Sequence, residues 1–432
     1  MNQVNEKLLH FLAKSPTAFH TVANLKRELD EAGFTELHEE DRWALAPGGK
    51  YYVERNGSAV LSFILPEGPG RDLQSFHLIA AHSDSPSYKI KPGSGIVTEG
   101  IVRLNVERYG GPVDSSWMDR PLSFAGRVLL DEGDHLSYHL VWPEEDLLII
   151  PSLAPHLTRH DSEKKPLNPQ TDLLPILCEA GDADAFWAQL SGRLGTMPER
   201  ILGADLYLCT REAPRLWGPK KEFLSAARLD DLQCCYGSFL GFLNARPQDS
   251  VAVHCIFDNE EVGSRSRQGA DSGFLRDVLE RICLSLGLSV EDYHRMVSRS
   301  FLVSADNAHA VHPNAAQASD PVNRPCLNGG IVIKHQGSLR YATDAFSAAV
   351  LKKLCNQHKI PWQNYTNRSD IPGGSTLGSL SESQIPLPTA DIGLAQLAMH
   401  SCFETAGARD TESLARFAEV FYGESLPAVV SE

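Results

Sequence analysis

The chain has 432 residues, 42% of them hydrophobic and 22% charged, and its 40 basic against 55 acidic side chains give a formal net charge of −15. That length exceeds what one hydrophobic core usually organises, so two domains, or one domain with a large insertion, are expected. No apolar run is long enough to span a bilayer, no basic tract is interleaved with aromatics, and the nine cysteines form no C-x-x-C pair. Membrane and nucleic-acid partners are therefore not expected, and neither is a disulfide framework or a thiolate zinc site.

The amino terminus, "MNQVNEKLLHFLAKSPTAFH", has a short apolar stretch broken by His10 and no small-residue cleavage pattern. A cytoplasmic protein is expected. An amphipathic helix is predicted from "SPTAFHTVANLKRELDEAG", with Ser15 as cap, Pro16 in the first turn, and Phe19, Val22, Ala23, Leu25 and Leu29 on one face up to Gly33.

Three later segments share a pattern. "SFHLIAAHSD" (75–84), "VAVHCIFDNEE" (251–261) and "FLVSAD" (301–306) are short apolar runs that end in histidine or acid. Such runs suit strands buried on both faces, and "LDDLQCCYGSFLGFLNA" and "SGFLRDVLERICLSLG" supply helices between or beside them. The expected fold class is α/β, with a mainly parallel sheet and ligands gathered beyond the carboxyl ends of its strands.

From 92 to 223 the texture changes to alternating stretches, "GIVRLNVERYGG", "LSFAGRVLL", "HLSYHLVW" and "DLLIIPSL". They predict a separate β-rich domain, entered at "KPGSG" (91–95) and left at "WGPKKEF" (217–223), so that 1–91 and 224–432 form one discontinuous domain. "TRHDSEKKPLNPQTD" (158–172) reads as a long solvated loop.

Polar residues at the predicted strand ends are His82, Asp84, Asp230, Asp231, Asp258, Glu260, Glu261, Asp306 and, after "PTADIGLAQLAM", His400. Singly each has an ordinary explanation: a loop histidine at His82, a helix N-cap at Asp230, solvated turns at Glu260 and Asp306. Together they make an imidazole and carboxylate set suited to zinc, manganese or cobalt, and a bridging carboxylate would allow two ions. In the Glu260–Glu261 pair one acid can bind metal while the other serves as general base.

The motifs "HSDSP" (82–86), "ARLDD" (227–231), "DNEEVGS" (258–264), "SADNAHAVHPN" (304–314), "RYATDA" (340–345) and "AMHS" (398–401) resemble, in order, those of the aspartyl aminopeptidase family. The likeness runs from "SPTAFH" to His400. It implies a two-zinc exopeptidase whose α/β catalytic domain is interrupted by a β-rich assembly domain. It further implies that His82 and Asp306 hold one zinc, Glu261 and His400 the other, and that Asp230 bridges them. It implies as well that cobalt or manganese would substitute. Glu260 would be the general base toward the metal-activated water, and Asp84 would orient the His82 ring. His156, in "PSLAPHLTR", would act at a neighbouring subunit's site, near its metals. Lys334, in "IVIKHQ", would meet an acidic first side chain, against a plainer role as a sheet-edge lysine.

Asp231 and Asn307 stand where relatives often have Asn and Met, and related enzymes have a cis peptide at the position of Asp230–Asp231. The implied substrates are peptides with a free amino terminus, an acidic Asp or Glu first and a neutral residue as the alternative. The implied assembly is a tetrahedral dodecamer. Competing readings are an N-acyl amino acid amidohydrolase or carboxypeptidase on the same scaffold, and a non-catalytic scaffold of peptidase fold.

Overall fold

The computed structural model describes residues 3–68, 73–157, 166–179 and 181–427. Its contacts fall into two compact units: Met1–Asp84, Pro214–Met399 and Glu404–Glu432 in the first, Ser85–Ala213 and His400–Phe403 in the second.

The first unit is built on a 13-stranded sheet. At its centre the strands Ser250–Phe257, Ser75–His82, Phe301–Ala305 and Thr389–Leu397 lie side by side and parallel. On one flank Ala59–Ile64 runs antiparallel to Ser250–Phe257, and on the other Glu404–Gly407 and Phe223–Ala226 continue antiparallel. The α/β expectation holds, and the sheet is mixed: its centre is parallel, and parallel pairs recur at Thr35–Glu36 with Lys50–Arg55 and at Ile331–His335 with Trp362–Thr366.

The apolar runs follow from burial on both faces. Ile79, Ala81, Ala252, Ile256, Val303 and Ala305 point into a core with Leu8, Leu25, Phe239, Phe242, Leu414 and Phe417 of the helices Gln3–Lys14, Ala18–Glu31, Leu229–Leu243 and Asp410–Gly423. Leu78, Ala80, Val253, Cys255 and Leu302 point the other way, against Phe274, Leu279, Met296 and Leu377. Period-two alternation thus loads both sides of one sheet, and each fully buried Leu, Ile or Phe stabilises it by about 1.5–3 kcal/mol.

Parallel strands end at the same edge, so His82, Asp258 and Asp306 emerge together; Phe257 is the register partner of His82. The early helix starts at Ala18 rather than at Pro16. Thr17 occupies the N-cap position, and Ser15 instead accepts from the Asn24 amide at 3.1 Å. The helix Gln3–Lys14 before it escaped the sequence reading, which saw only a short apolar stretch broken by His10; in the helix His10 is exposed and Leu8, Phe11 and Leu12 share the buried face.

The second unit carries a six-stranded antiparallel sheet. "DLLIIPSL" does not form one of its strands and makes only isolated bridges, Leu122 with Leu148 and Ile149 with Ile176. A helix, Ala185–Leu194, was not expected there. The points 91/92 and 223/224 fall within the strand Ser87–Thr98 and at the start of Phe223–Ala226. "KPGSG" is absorbed as a bulge between Ile90 and Gly95, which glycine accommodates without leaving the sheet. Residues 158–165 of the expected loop lie outside the described residues.

Candidate active site

His82 is the last residue of its strand and is 1% exposed. Its Nε2 lies 3.6 Å from Asp230 Oδ1 and 4.0 Å from Asp306 Oδ1, and its Nδ1 lies 3.2 Å from Asp84 Oδ1 and 3.1 Å from the Asp84 carbonyl. One ring nitrogen is thereby turned to the cluster and the other to an orienting acceptor. The Asp84 carboxylate also accepts the backbone N–H of Glu260 at 3.1 Å and of Glu261 at 3.2 Å. It therefore fixes both the imidazole and the turn that carries the paired acids. That turn, Glu260–Val262, follows Asn259 in left-handed backbone, φ 65°, which reverses the chain directly beyond the strand Ser250–Phe257.

Asp230 and Asp231 open the helix Leu229–Leu243, and the peptide between them is cis. Asp230 is in the first turn, not at the N-cap, which is Arg228. Its N–H donates to the buried Glu404 carboxylate at 3.0 Å. Asp231 accepts from the N–H groups of His82 and Asn307, each at 3.2 Å. Asn307 donates its side-chain amide to Gln233 at 3.1 Å and Gln396 at 2.8 Å and accepts from Cys234 at 2.8 Å. The two departures from the family pattern thus contact each other and spare the candidate ligands.

Asp306 faces Lys334, whose Nζ is 3.5 Å from Oδ2. Gly393 allows this approach, since a Cβ there would meet the Asp306 carbonyl at 2.1 Å and Lys334 Cε at 3.0 Å. Lys334 is 2% exposed in the strand Ile331–His335, which lies between Trp362–Thr366 and Thr389–Leu397, so it is not an edge lysine.

The electrostatics of the cluster favour a cation among its carboxylates. Burial pushes the carboxyls up: Asp306 to about 6 against the pull of Lys334, Glu260 to about 8 and Asp258 to about 7, with Glu261 and Asp231 also held well above the usual carboxylate range by burial and neighbouring acids. Burial disfavours charge on His82, yet Asp231, Asp230 and Asp84 outweigh it and hold the imidazole well above its usual range. Buried carboxylates packed this closely are stable as anions only beside added positive charge. One ligand atom from each of His82, Asp230, Asp231 and Asp306 lies within 4.8 Å of the others, and the same holds for His82, Glu260 and Glu261. Oxygen and imidazole donors without thiolate fit zinc.

The structure therefore gathers His82, Asp84, Asp230, Glu260, Glu261, Asp306 and Lys334 at one sheet edge. His400 groups with the second unit, where its Nδ1 lies 3.1 Å from the Gly111 carbonyl and its own carbonyl accepts from Val113 at 2.9 Å. His156 is exposed on the short turn Pro155–Leu157 of that unit. Sequence reasoning missed Glu404, and the only available signal was an acid inside the short strand Glu404–Gly407.

A sheet whose parallel centre carries buried histidine and acids at its carboxyl edge fits a metal-dependent hydrolase. The family described as "Aminopeptidase I zinc metalloprotease (M18)" matches residues 11–422. A probable M18 family aminopeptidase 2 of Clostridium acetobutylicum is 40% identical over 424 residues, covering 96% of this chain and 98% of that one. Among solved structures, the Ape4 and Nbr1 complex matches with TM-score 0.92 and 33% identity over 97% of this chain and 85% of that one. The S. cerevisiae mApe1 dodecamer matches with TM-score 0.85 and 27% identity over 97% and 96%. The chain belongs to the M18 family and is a zinc aminopeptidase. Among the described residues no helix is long and apolar enough to cross a membrane.

Proposed function

We propose that the protein removes the first residue from peptides with a free amino terminus, using two zinc ions per subunit. His82 and Asp306 would hold one ion, Glu261 and His400 the other, and Asp230 would bridge them. The observation that carries this reading is the buried His82, Asp230, Asp306 cluster clamped to the Glu260–Glu261 turn through Asp84. Zinc would supply Lewis acidity, polarising the scissile carbonyl and lowering the pKa of water. Cobalt or manganese would substitute on the same donors.

Glu260 takes the proton of the attacking water and returns it to the leaving amine. Its burial among acids favours the proton-holding form that the second step requires. Asp84 keeps the His82 ring and both glutamate amides in place. Carboxylates near the ions receive the free α-amino group, which restricts cleavage to the chain end. His156 would come from a neighbouring subunit to stabilise the oxyanion. That role makes a homo-oligomer, by likeness to the mApe1 dodecamer, a condition of activity.

Lys334 supports an acidic first residue, Asp or Glu. Its ammonium is buried against Asp306, an arrangement that also balances that carboxylate. The test is a panel of Asp, Glu, Leu and Ala amides, each with its N-acetylated twin, assayed before and after chelation and zinc return, with zinc counted per chain. Zinc-restored cleavage of only the free-amine members supports the reading, and the Asp to Leu ratio decides the role of Lys334. Cleavage of the acetylated twins would move the assignment to an amidohydrolase, and no cleavage by the zinc-loaded protein would leave only a scaffold.

A further inference from the structure

A cleft of about 1080 Å³ opens in the first unit, lined by residues of 335–345 on one side and 366–372 on the other, with Lys352 and neighbours of the following helix. The segments that continue its two walls, at 342–343 and at 376, are tied together by one carboxylate. Asp391, in the strand Thr389–Leu397, is fully buried and pairs in register with Ser304, two residues before Asp306. Its Oδ2 accepts the N–H of Ala342 at 2.6 Å, and its Oδ1 accepts the Thr376 hydroxyl at 2.5 Å. Its own N–H donates to the Thr343 hydroxyl at 2.8 Å.

Ala342 and Thr343 belong to "RYATDA", and Thr376 to "PGGSTLG". Arg340 ties the two stretches again by donating to the Gly373 carbonyl at 2.7 Å. Gly378 leaves room for the carboxylate, since a Cβ there would stand 2.6 Å from Asp391 Oδ1. The Ala342 anchor also fixes its neighbour Tyr341, whose ring centroid is 5.5 Å from the Lys334 ammonium beside Asp306. A fully buried acid that accepts from one loop on each oxygen is costly to keep for packing alone. Its geometry sets the distance between the loops.

We propose that Asp391 is a positioning residue that, through Ala342 and Thr376, holds the two walls of this cleft at the spacing that receives the substrate's peptide chain next to Asp306. This rests on the proposed placement of the metal centre at Asp306.

The test compares Asp391→Asn, Thr376→Val and Thr376→Ser in the zinc-loaded full chain, reading KM and kcat on a tripeptide, zinc content, and amide hydrogen exchange at 340–345 and 372–378. Asp391→Asn and Thr376→Val should raise KM about fivefold or more, with kcat within about threefold and zinc content unchanged. They should speed exchange in both segments roughly tenfold, the effect of one hydrogen bond, and Thr376→Ser should restore wild-type values. An unchanged KM with kcat falling in step with the folded fraction, or unchanged exchange, overturns the proposal. If Asp391→Asn fails to fold, Thr376→Val carries the same test. A wild-type protein that cleaves nothing would sink the proposed function instead, and the exchange result would then decide the anchor by itself.

Discussion

Substituting Asp84 by Asn probes the linkage between the candidate ligand His82 and the candidate base Glu260. The carboxylate accepts the N–H of Glu260 on Oδ1 and of Glu261 on Oδ2, and Oδ1 also lies 3.2 Å from His82 Nδ1. An amide has one acceptor oxygen, so in either orientation its NH2 faces one of the two backbone donors. One charge-assisted hydrogen bond is lost, a cost of about 1.5–3 kcal/mol. The Asp84 carbonyl, 3.1 Å from the same Nδ1, survives the change and keeps the ring partly oriented. The effect on zinc should therefore sit near the lower end of the 10- to 100-fold range typical of partners behind a ligand, about tenfold. Competition against a chromophoric chelator measures the affinity, and kcat/KM at saturating zinc measures what remains once the metal is restored. A variant that binds zinc within about twofold of wild type and cleaves at the wild-type rate would refute the linkage.

Replacing Glu260 by Gln should lower kcat by about 10²–10⁴ while zinc content stays at the wild-type level, and loss of zinc in step with activity would recast Glu260 as a ligand. Chelation should abolish cleavage and lower the thermal midpoint, with a stabilisation of about 2.7 kcal/mol returning at zinc 100 times its dissociation constant; an unshifted midpoint would disconnect the cluster from metal. His254, packed between Phe239 and Phe242 and hydrogen-bonded to Ser238 at 2.9 Å, is lowered by burial to about 3. Because the folded chain resists protonating it, its contribution is complete above the unfolded value near 6.5 and is lost as pH falls toward 3. The unfolding free energy of wild type from urea titrations should drop by about 2 kcal/mol more between pH 7 and 5 than that of His254→Gln, and equal drops would contradict the assignment.

The sequence alone determined the parallel centre of the sheet, because strands buried on both faces leave unbroken apolar runs. It also marked the ends of those runs, since His82, Asp258 and Asp306 interrupt hydrophobic segments abruptly. Conformations that depend on distant partners were not legible. "DLLIIPSL" has the composition of a strand, yet only isolated bridges reach it, because pairing is decided by what lies alongside. "KPGSG" has the composition of a linker and runs inside a strand as a bulge.

At the site, residue types announced a metal chemistry, but the roles of the supporting side chains came from tertiary placement. Asp84 binds amides 176 and 177 residues away. Glu404 reaches back to Asp230, and Lys334, on an ordinary-looking strand, is driven inward onto Asp306. Asp391 sat unremarked in an apolar segment, and only folding brought Ala342 and Thr376 to its two oxygens. Local sequence fixes periodicity and turn chemistry, which are properties of neighbours along the chain. A buried charge is tolerable only when its partners arrive from elsewhere, and those partners are known only once the chain has folded.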